Sequence, residues 1–276
     1  MTVTMSVVAQ INLTLSPQDI AAFRADGAIV LRKVFTPEAI DAMRKMVSEI
    51  MAEPGPLGAD FAHGKGRFFA EHFARLHHAG LTALCGTPEL ASASAQLMGS
   101  EKVWLAWDHV FVKEPGTPGE SHWHQDQPYA WVDGDLNVSF WIALDHVTKE
   151  SGAVQFVRGS HRWGKTFQPK SFDPKRDYGG SDYEPMPDIE AHPELYDVLC
   201  WDMEPGDMLA FHLAVVHYAG GNSSPRSRRA ISLRYAGDGA YYALRKKGPK
   251  LPRDPGLQQG ESIGNSDLFP QVWPLV

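Results

Sequence analysis

The hydrophobic pattern of the chain changes at about residue 102. Before that point apolar residues recur at helical spacing, and after it they come in short dense runs separated by Gly, Pro, Asn and Asp. Ser16-Pro17 supplies an N-cap and a first-turn proline for a helix with Ile20 and Phe23 on its inner face, ended by Asp26-Gly27. Ala28 to Leu31 reads as a short strand. Thr36-Pro37 repeats the cap signal, and Ile40, Met43, Val47 and Ile50 mark the buried stripe of a second helix, broken by Pro54 to Gly58. Residues 59–80 follow neither period: Lys65, Arg67, Phe68 and Phe69 are mixed with His63, His72, His77 and His78. Thr87-Pro88 caps a third predicted helix that runs to about Gly99, so the first third is expected to be mostly helical.

From Val103 the pattern is that of strands. Val103 to Val112 is rich in Trp, Val and Phe and stops at Pro115-Gly116. Asp133-Gly134 marks a turn, and Asn137 to Leu144 and Ala153 to Val157 are further strands, the latter ending in Gly159-Ser160-His161. Residues 164–196 are polar and rich in Gly, Pro and Asp, too long for an ordinary connection and expected to be a lid-like insertion. Pro205-Gly206-Asp207 turns into the strand Met208 to Phe211; Val215 to Tyr218 leads to a Gly-Gly-Asn turn, and Ala230 to Tyr235 follows. The tail from 245 is basic, then Pro/Gly-rich. Helices followed by many short strands predict one α+β domain over 1–276, mainly β, with a sandwich or barrel core.

Bulk properties narrow the classes. A 276-residue chain with 43% hydrophobic and 21% charged residues is long enough for one large globular domain. The net charge of −7 speaks against a general nucleic-acid binder. Two cysteines, Cys85 and Cys200, are too few for a disulfide framework and suit a reducing compartment. No apolar run approaches the ~18 residues that a membrane span needs. Met1 to Ser16 has no signal-peptide pattern and Pro-Leu-Val is no peroxisomal address, so a cytoplasmic location is expected.

The candidate chemistry centres on Ser121 to Tyr129. In an extended chain His122, His124 and Asp126 project to one face, and a His and a carboxylate two residues apart can close on one metal ion. Two ligands of a non-haem iron facial triad are supplied this way. The best third ligand is His217, at the end of an apolar strand just before Gly220-Gly221-Asn222; His212 is the rival. Pairing of His122 with His124, as in cupins, wants a glutamate where Gln127 and Tyr129 stand. On the strand returning from the turn, Arg228 is the preferred carboxylate clamp over Arg226 and Arg229. His146, His161 and His192 read as ordinary structural histidines.

These residues, with the strand Val138 to Leu144, Glu150-Ser151-Gly152, Val157 to His161, Pro205-Gly206-Asp207 and Arg229 to Ser232, resemble the phytanoyl-CoA dioxygenase family of iron(II)- and 2-oxoglutarate-dependent oxygenases over roughly residues 16–240. The resemblance implies a double-stranded β-helix (jelly roll) with the N-terminal helices packed on one side. It implies that His124, Asp126 and His217 hold Fe(II), that O2 and 2-oxoglutarate are consumed, and that succinate and CO2 are released as a C–H bond of a small molecule is hydroxylated. Arg228 would take the distal carboxylate of 2-oxoglutarate, with Trp141 and His109 beside it and either Lys65 or Arg67 upstream. Several relatives place a small hydroxyl residue two positions after the distal His. Ala219 stands there in this chain, so that hydrogen bond is missing or comes from Ser139 or His109. Halogenating relatives lack the carboxylate, so Asp126 favours hydroxylation. Arg67, Phe68, Phe69, Gln127, Tyr129 and Trp131 are expected to line the substrate pocket, and Lys165, Lys170, Lys175 and Arg176 are candidates to meet an anionic group.

Overall fold

The computed structural model describes residues 11–61, 66–170, 183–245 and 249–274; Lys65, Lys175, Arg176 and the middle of the 164–196 segment lie outside them. Helix α1 (Pro17–Asp26) is closed by a capping box, in which the Ser16 hydroxyl accepts the Asp19 amide at 3.1 Å and the Asp19 carboxylate accepts the Ser16 amide at 2.8 Å. Gly27 ends it at φ 81°, a left-handed conformation that costs a residue with a Cβ, and its amide donates to the Phe23 carbonyl. After strand β1 (Ala28–Leu31), helix α2 (Pro37–Ala52) buries Ile40, Met43, Val47 and Ile50 as the spacing predicts.

The stretch 59–80, whose pattern follows neither period, is largely extended within a mostly helical first third. It forms β2 (Gly58–Asp60) and β3 (Phe68–His72), followed by a short helix, α3 (Ala79–Cys85). Thr87 does not cap α4 (Pro88–Met98): its hydroxyl donates back to the carbonyls of Ala83 and Leu84, tying off α3 instead. The missing element is the cause, because a helix ending two residues earlier offers free carbonyls to that hydroxyl.

Among the described residues the main sheet has eight strands. Its order is β1, β10 (Met208–Phe211), β7 (Asn137–Ala143), β12 (Arg228–Ala236), β4 (Val103–Lys113), β3 and β2, with β14 (Gln271–Trp273) also pairing with β4. A second sheet runs β5 (Ser121–His124), β11 (His217–Ala219), β8 (Val154–Val157) and β9 (Val198–Cys200), and β6 (Val132–Asp133) pairs with β13 (Tyr241–Tyr242). Every pairing between these strands is antiparallel. The outer face of the main sheet (Val110, Val112, Phe140, Ile142, Ile231, Leu233) packs on α2 and α4. Its inner face (Trp141, Ala143, Leu209, Phe211, Ala230) meets Val154, Phe156 and Ala219 of the second sheet. Both faces of β7 are therefore buried, which is why its second half, Phe140 to Ala143, is a continuous apolar run rather than an alternation. This is a jelly roll with helices on one side. No helix among the described residues is long and apolar enough to cross a membrane.

The tail is more than a Pro/Gly-rich extension. Ile263, Leu268 and Phe269 are buried with Trp131 and Trp107, and the Trp131 indole donates to the Pro249 carbonyl at 3.0 Å.

Candidate metal centre

β5 and β11 place His124 and His217 directly opposite one another, with ring centroids 4.1 Å apart. Asp126 reaches them by a different route from the one its spacing suggests. The strand ends at His124, and Asp126 turns in helical conformation (φ −71°, ψ −33°) as the chain enters a short 3-10 turn. Its Oδ1 lies 3.7 Å from His124 Nε2 and 3.9 Å from His217 Nε2. One ligand atom from each of the three residues lies within 4.8 Å of the other two. His122 does not join them; it lines the mouth of the cavity and pairs with Glu120 at 2.8 Å.

Each ligand is oriented through the atom that does not face the cluster. His124 Nδ1 donates to the His122 carbonyl at 2.6 Å and His217 Nδ1 donates to the Val215 carbonyl at 3.0 Å, which fixes both tautomers with the Nε2 lone pair turned inward. Asp126 Oδ2 accepts from Arg234 Nε at 2.8 Å, leaving Oδ1 free. Burial lowers the His124 imidazole to about 3. Burial alone would raise Asp126, but Arg234 and the two histidines outweigh it and bring the carboxyl to about 2. Burial also lowers His217. Near neutral pH the cluster is two neutral imidazoles and one carboxylate, the donor set of a facial iron(II) site. Gln125 faces the other way and anchors the turn, donating to the carbonyls of Lys165 and Ala214 and accepting the Phe167 amide.

The triad opens into a cavity of about 320 Å³ between the sheets. At one end lie two buried cations. Arg228 and Lys113 are direct cross-strand partners on β12 and β4. Lys113 Nζ donates to the carbonyls of Ala219 (3.3 Å) and Gly220 (2.6 Å) and lies over the Phe68 ring. Arg228 reaches the carbonyls of Ser151 and Gly152 at 3.4 and 3.3 Å and stacks on Trp141. Burial brings Arg228 down to about 10. Burial, and then the charge of Arg228, pushes Lys113 well below its usual range. Neither forms a salt bridge among the described residues, so this end is short of one negative charge. Arg229 points outward, chelating Asp145 through Nε and Nη2 at 2.9 and 2.7 Å.

Of the other candidates, His109, Trp141, Tyr129 and Trp131 line the cavity with Phe68. Four lie elsewhere. Arg67 pairs with Asp60 at 2.5 Å, and Phe69, one step along β3 from Phe68, turns into the core behind the sheet. The Gln127 side chain is bonded to Asp133, and Ser139 bonds the Ser232 hydroxyl at 3.0 Å inside the barrel. His212 bonds the Asp135 carbonyl and His161 the Arg24 carbonyl, away from the triad. Lys113, Arg234 and His72 are the polar cavity residues nearest the chemistry that motif reasoning missed, along with apolar walls such as Trp107, Phe111 and Phe211. The available signal was a lone charge inside an apolar strand, in phase with Phe111 on β4 or with Arg228 on β12.

Comparison with known proteins places this geometry in a lineage. The model of the phytanoyl-CoA dioxygenase (PhyH) family matches residues 23–230. The dioxygenase hkm4 of Aspergillus hancockii is 27% identical over 259 residues, covering 82% of this chain and 73% of that one. The ectoine dioxygenase of Sphingopyxis alaskensis is 26% identical over 236 residues, covering 80% and 76%. The crystal structure of the epimerase SnoN with Fe3+, alpha ketoglutarate and nogalamycin RO shares the fold, with a TM-score of 0.74 at 23% identity over 92% of this chain and 96% of that one. The chain thus belongs to the phytanoyl-CoA dioxygenase family, and its fold and His-Asp-His cluster are those of an iron- and 2-oxoglutarate-dependent dioxygenase.

Proposed function

We propose that this chain, acting as a single domain, hydroxylates a C–H bond of a small organic molecule, with His124, Asp126 and His217 holding iron(II). Iron with O2 and 2-oxoglutarate supplies the oxidising chemistry and leaves succinate and CO2. The protein contributes position and dryness. Lys113 and Arg228 receive the distal carboxylate of 2-oxoglutarate, and the Arg228 fork fixes its direction. Trp141, Phe211 and Val154 wall the co-substrate from water, which strengthens every charge interaction in the site. Arg234 holds Asp126 ionised and turned, so that the metal keeps its carboxylate. His109 lines the cavity away from the cation pair, with its ring against His72.

One observation carries this reading: a preoriented His-Asp-His cluster shares a cavity with two buried basic side chains that form no salt bridge among the described residues. A buried unpaired charge is costly enough to imply a ligand that completes it. Free Cys85 and Cys200 agree with a reducing, cytoplasmic setting. Anaerobic addition of iron(II) and 2-oxoglutarate should give a weak visible charge-transfer band. In Arg228→Ala the metal is retained and the band appears only at far higher 2-oxoglutarate. A folded wild-type protein that binds iron and shows no band refutes the reading, as does an Arg228→Ala protein with unchanged 2-oxoglutarate affinity.

A further inference from the structure

The opposite half of the cavity carries its own polar constellation. Arg234 and Arg228 lie on the same face of β12, six positions apart, or ~20 Å of strand at ~3.4 Å per residue. They therefore approach the triad from opposite ends, and the half around Arg234 is left over once a five-carbon diacid occupies the half around Arg228. Here β3 and β4 set His72 opposite His109 in register, with the rings 3.6 Å apart, and both line the cavity. Three buried nitrogens in this region, Arg234 Nη1, His72 Nδ1 and His109 Nε2, have no hydrogen-bond partner among the described residues. Buried polar groups without partners are rare enough to need an explanation. Trp107 and Trp131 meet edge to face beside them, Trp107 lies under the Arg234 guanidinium, and Tyr129 stands against His124.

Charge balance separates the two halves. Arg234 is already neutralised by Asp126, and the two lysines that also line the cavity, Lys170 and Lys250, are exposed, so the buried part of this end, unlike the Lys113–Arg228 end, has no unpaired cation among the described residues. We propose, building on the oxygenase reading above, that Arg234 Nη1 and the His72–His109 pair form a substrate subsite for a neutral oxygen acceptor, a carbonyl or ether, on a largely apolar ring-bearing molecule. The aromatic walls take the ring, and the donors hold the oxygen so that a neighbouring carbon faces the metal. Burial keeps both imidazoles neutral, His72 at about 3, so each offers one N–H and the pair adds no charge that would favour an anion.

The test uses bicyclic probes and the quenching of tryptophan fluorescence, read on the full chain loaded with redox-inert zinc(II), with and without 2-oxoglutarate. The ketone 1-tetralone should bind about tenfold more tightly than the hydrocarbon tetralin, a preference of the size a site built around hydrogen-bond donors gives. It should also bind more tightly than the anion 1-naphthoate. His72→Phe keeps the ring stack and loses the donor; the ketone preference should then drop towards unity, while His72→Gln, which keeps an N–H, retains part of it. Equal binding of ketone and hydrocarbon, tightest binding of the naphthoate, or an unchanged preference in His72→Phe would each overturn the proposal. Loss of 2-oxoglutarate binding with the ketone preference intact would count against the oxygenase reading instead, so the two failures are distinguishable.

Discussion

Replacing Lys113 with Met removes one of the two cations at the 2-oxoglutarate end while keeping the apolar stem. In the unliganded protein the Lys113 amine faces the Arg228 guanidinium across β4 and β12. Where the amine is protonated, two unit charges at the ~5.5 Å spacing typical of cross-strand partners and an effective dielectric of ~20 repel by about 3 kcal/mol. Against this stand the hydrogen bonds to the carbonyls of Ala219 and Gly220. Such bonds from a charged donor contribute about 1.5–3 kcal/mol. The two effects nearly cancel, so the unliganded variant should unfold within ~1 kcal/mol of wild type, or about 2–4 °C in Tm. Binding has no such cancellation. Losing one charge-assisted contact to the incoming carboxylate, at about 1.5–3 kcal/mol, raises the dissociation constant by about 10- to 100-fold. The affinity is read by anaerobic titration of 2-oxoglutarate through the charge-transfer band, and stability by calorimetry. pH gives a second readout. Burial, and then the charge of Arg228, has pushed Lys113 below its usual range, and an arriving carboxylate favours the ammonium, so binding takes up a proton at any pH where the unliganded amine is neutral. Wild-type affinity should therefore fall as pH rises, and Lys113→Met should flatten that dependence. Unchanged affinity refutes the reasoning. So does a drop in unliganded Tm beyond ~10 °C, which would make Lys113 a structural tie rather than a ligand-binding cation.

Other outcomes follow from the same geometry. Arg234→Met leaves the Asp126 carboxylate buried without its partner, costing the metal-free protein about 3–5 kcal/mol. The same change lowers metal affinity by about 10- to 100-fold, measured by competition with a chelator; equal affinity would show that Arg234 does not orient Asp126. His72 and His124 are lowered from 6.5 to about 3 in the folded protein, so the unfolded chain binds their protons first. Their stabilisation is full above pH 6.5 and is lost as pH falls towards 3, at about 1.4 kcal/mol per pH unit for each histidine. Urea unfolding of the metal-free protein at pH 7 and pH 5 checks this, and a midpoint that does not fall on acidification contradicts it.

Elements whose signals are local were legible in the chain. Ser16, Thr36 and the stripe from Ile40 to Ile50 specify α1 and α2 because caps and i, i+3/i+4 contacts are decided within a few residues. The apolar runs of β4, β7, β10 and β12 announced themselves because both faces are buried. His124, Asp126, His217 and Arg228 stood out by residue type next to a strand end or turn.

Only the tertiary structure decided the rest. Arg234 bonds Asp126 across 108 residues and Lys113 bonds Gly220 across 107, contacts fixed by strand register that no local pattern encodes. The order of strands in the main sheet likewise decided that Phe68 and His72 enter the cavity while Phe69 leaves it, so that only one of the two adjacent aromatics expected in the pocket lines it. The sequence by itself determined which side chains were available for the chemistry. The packing of distant strands determined which polar atoms were left partnerless, because burial and pairing belong to the folded whole rather than to any segment of it.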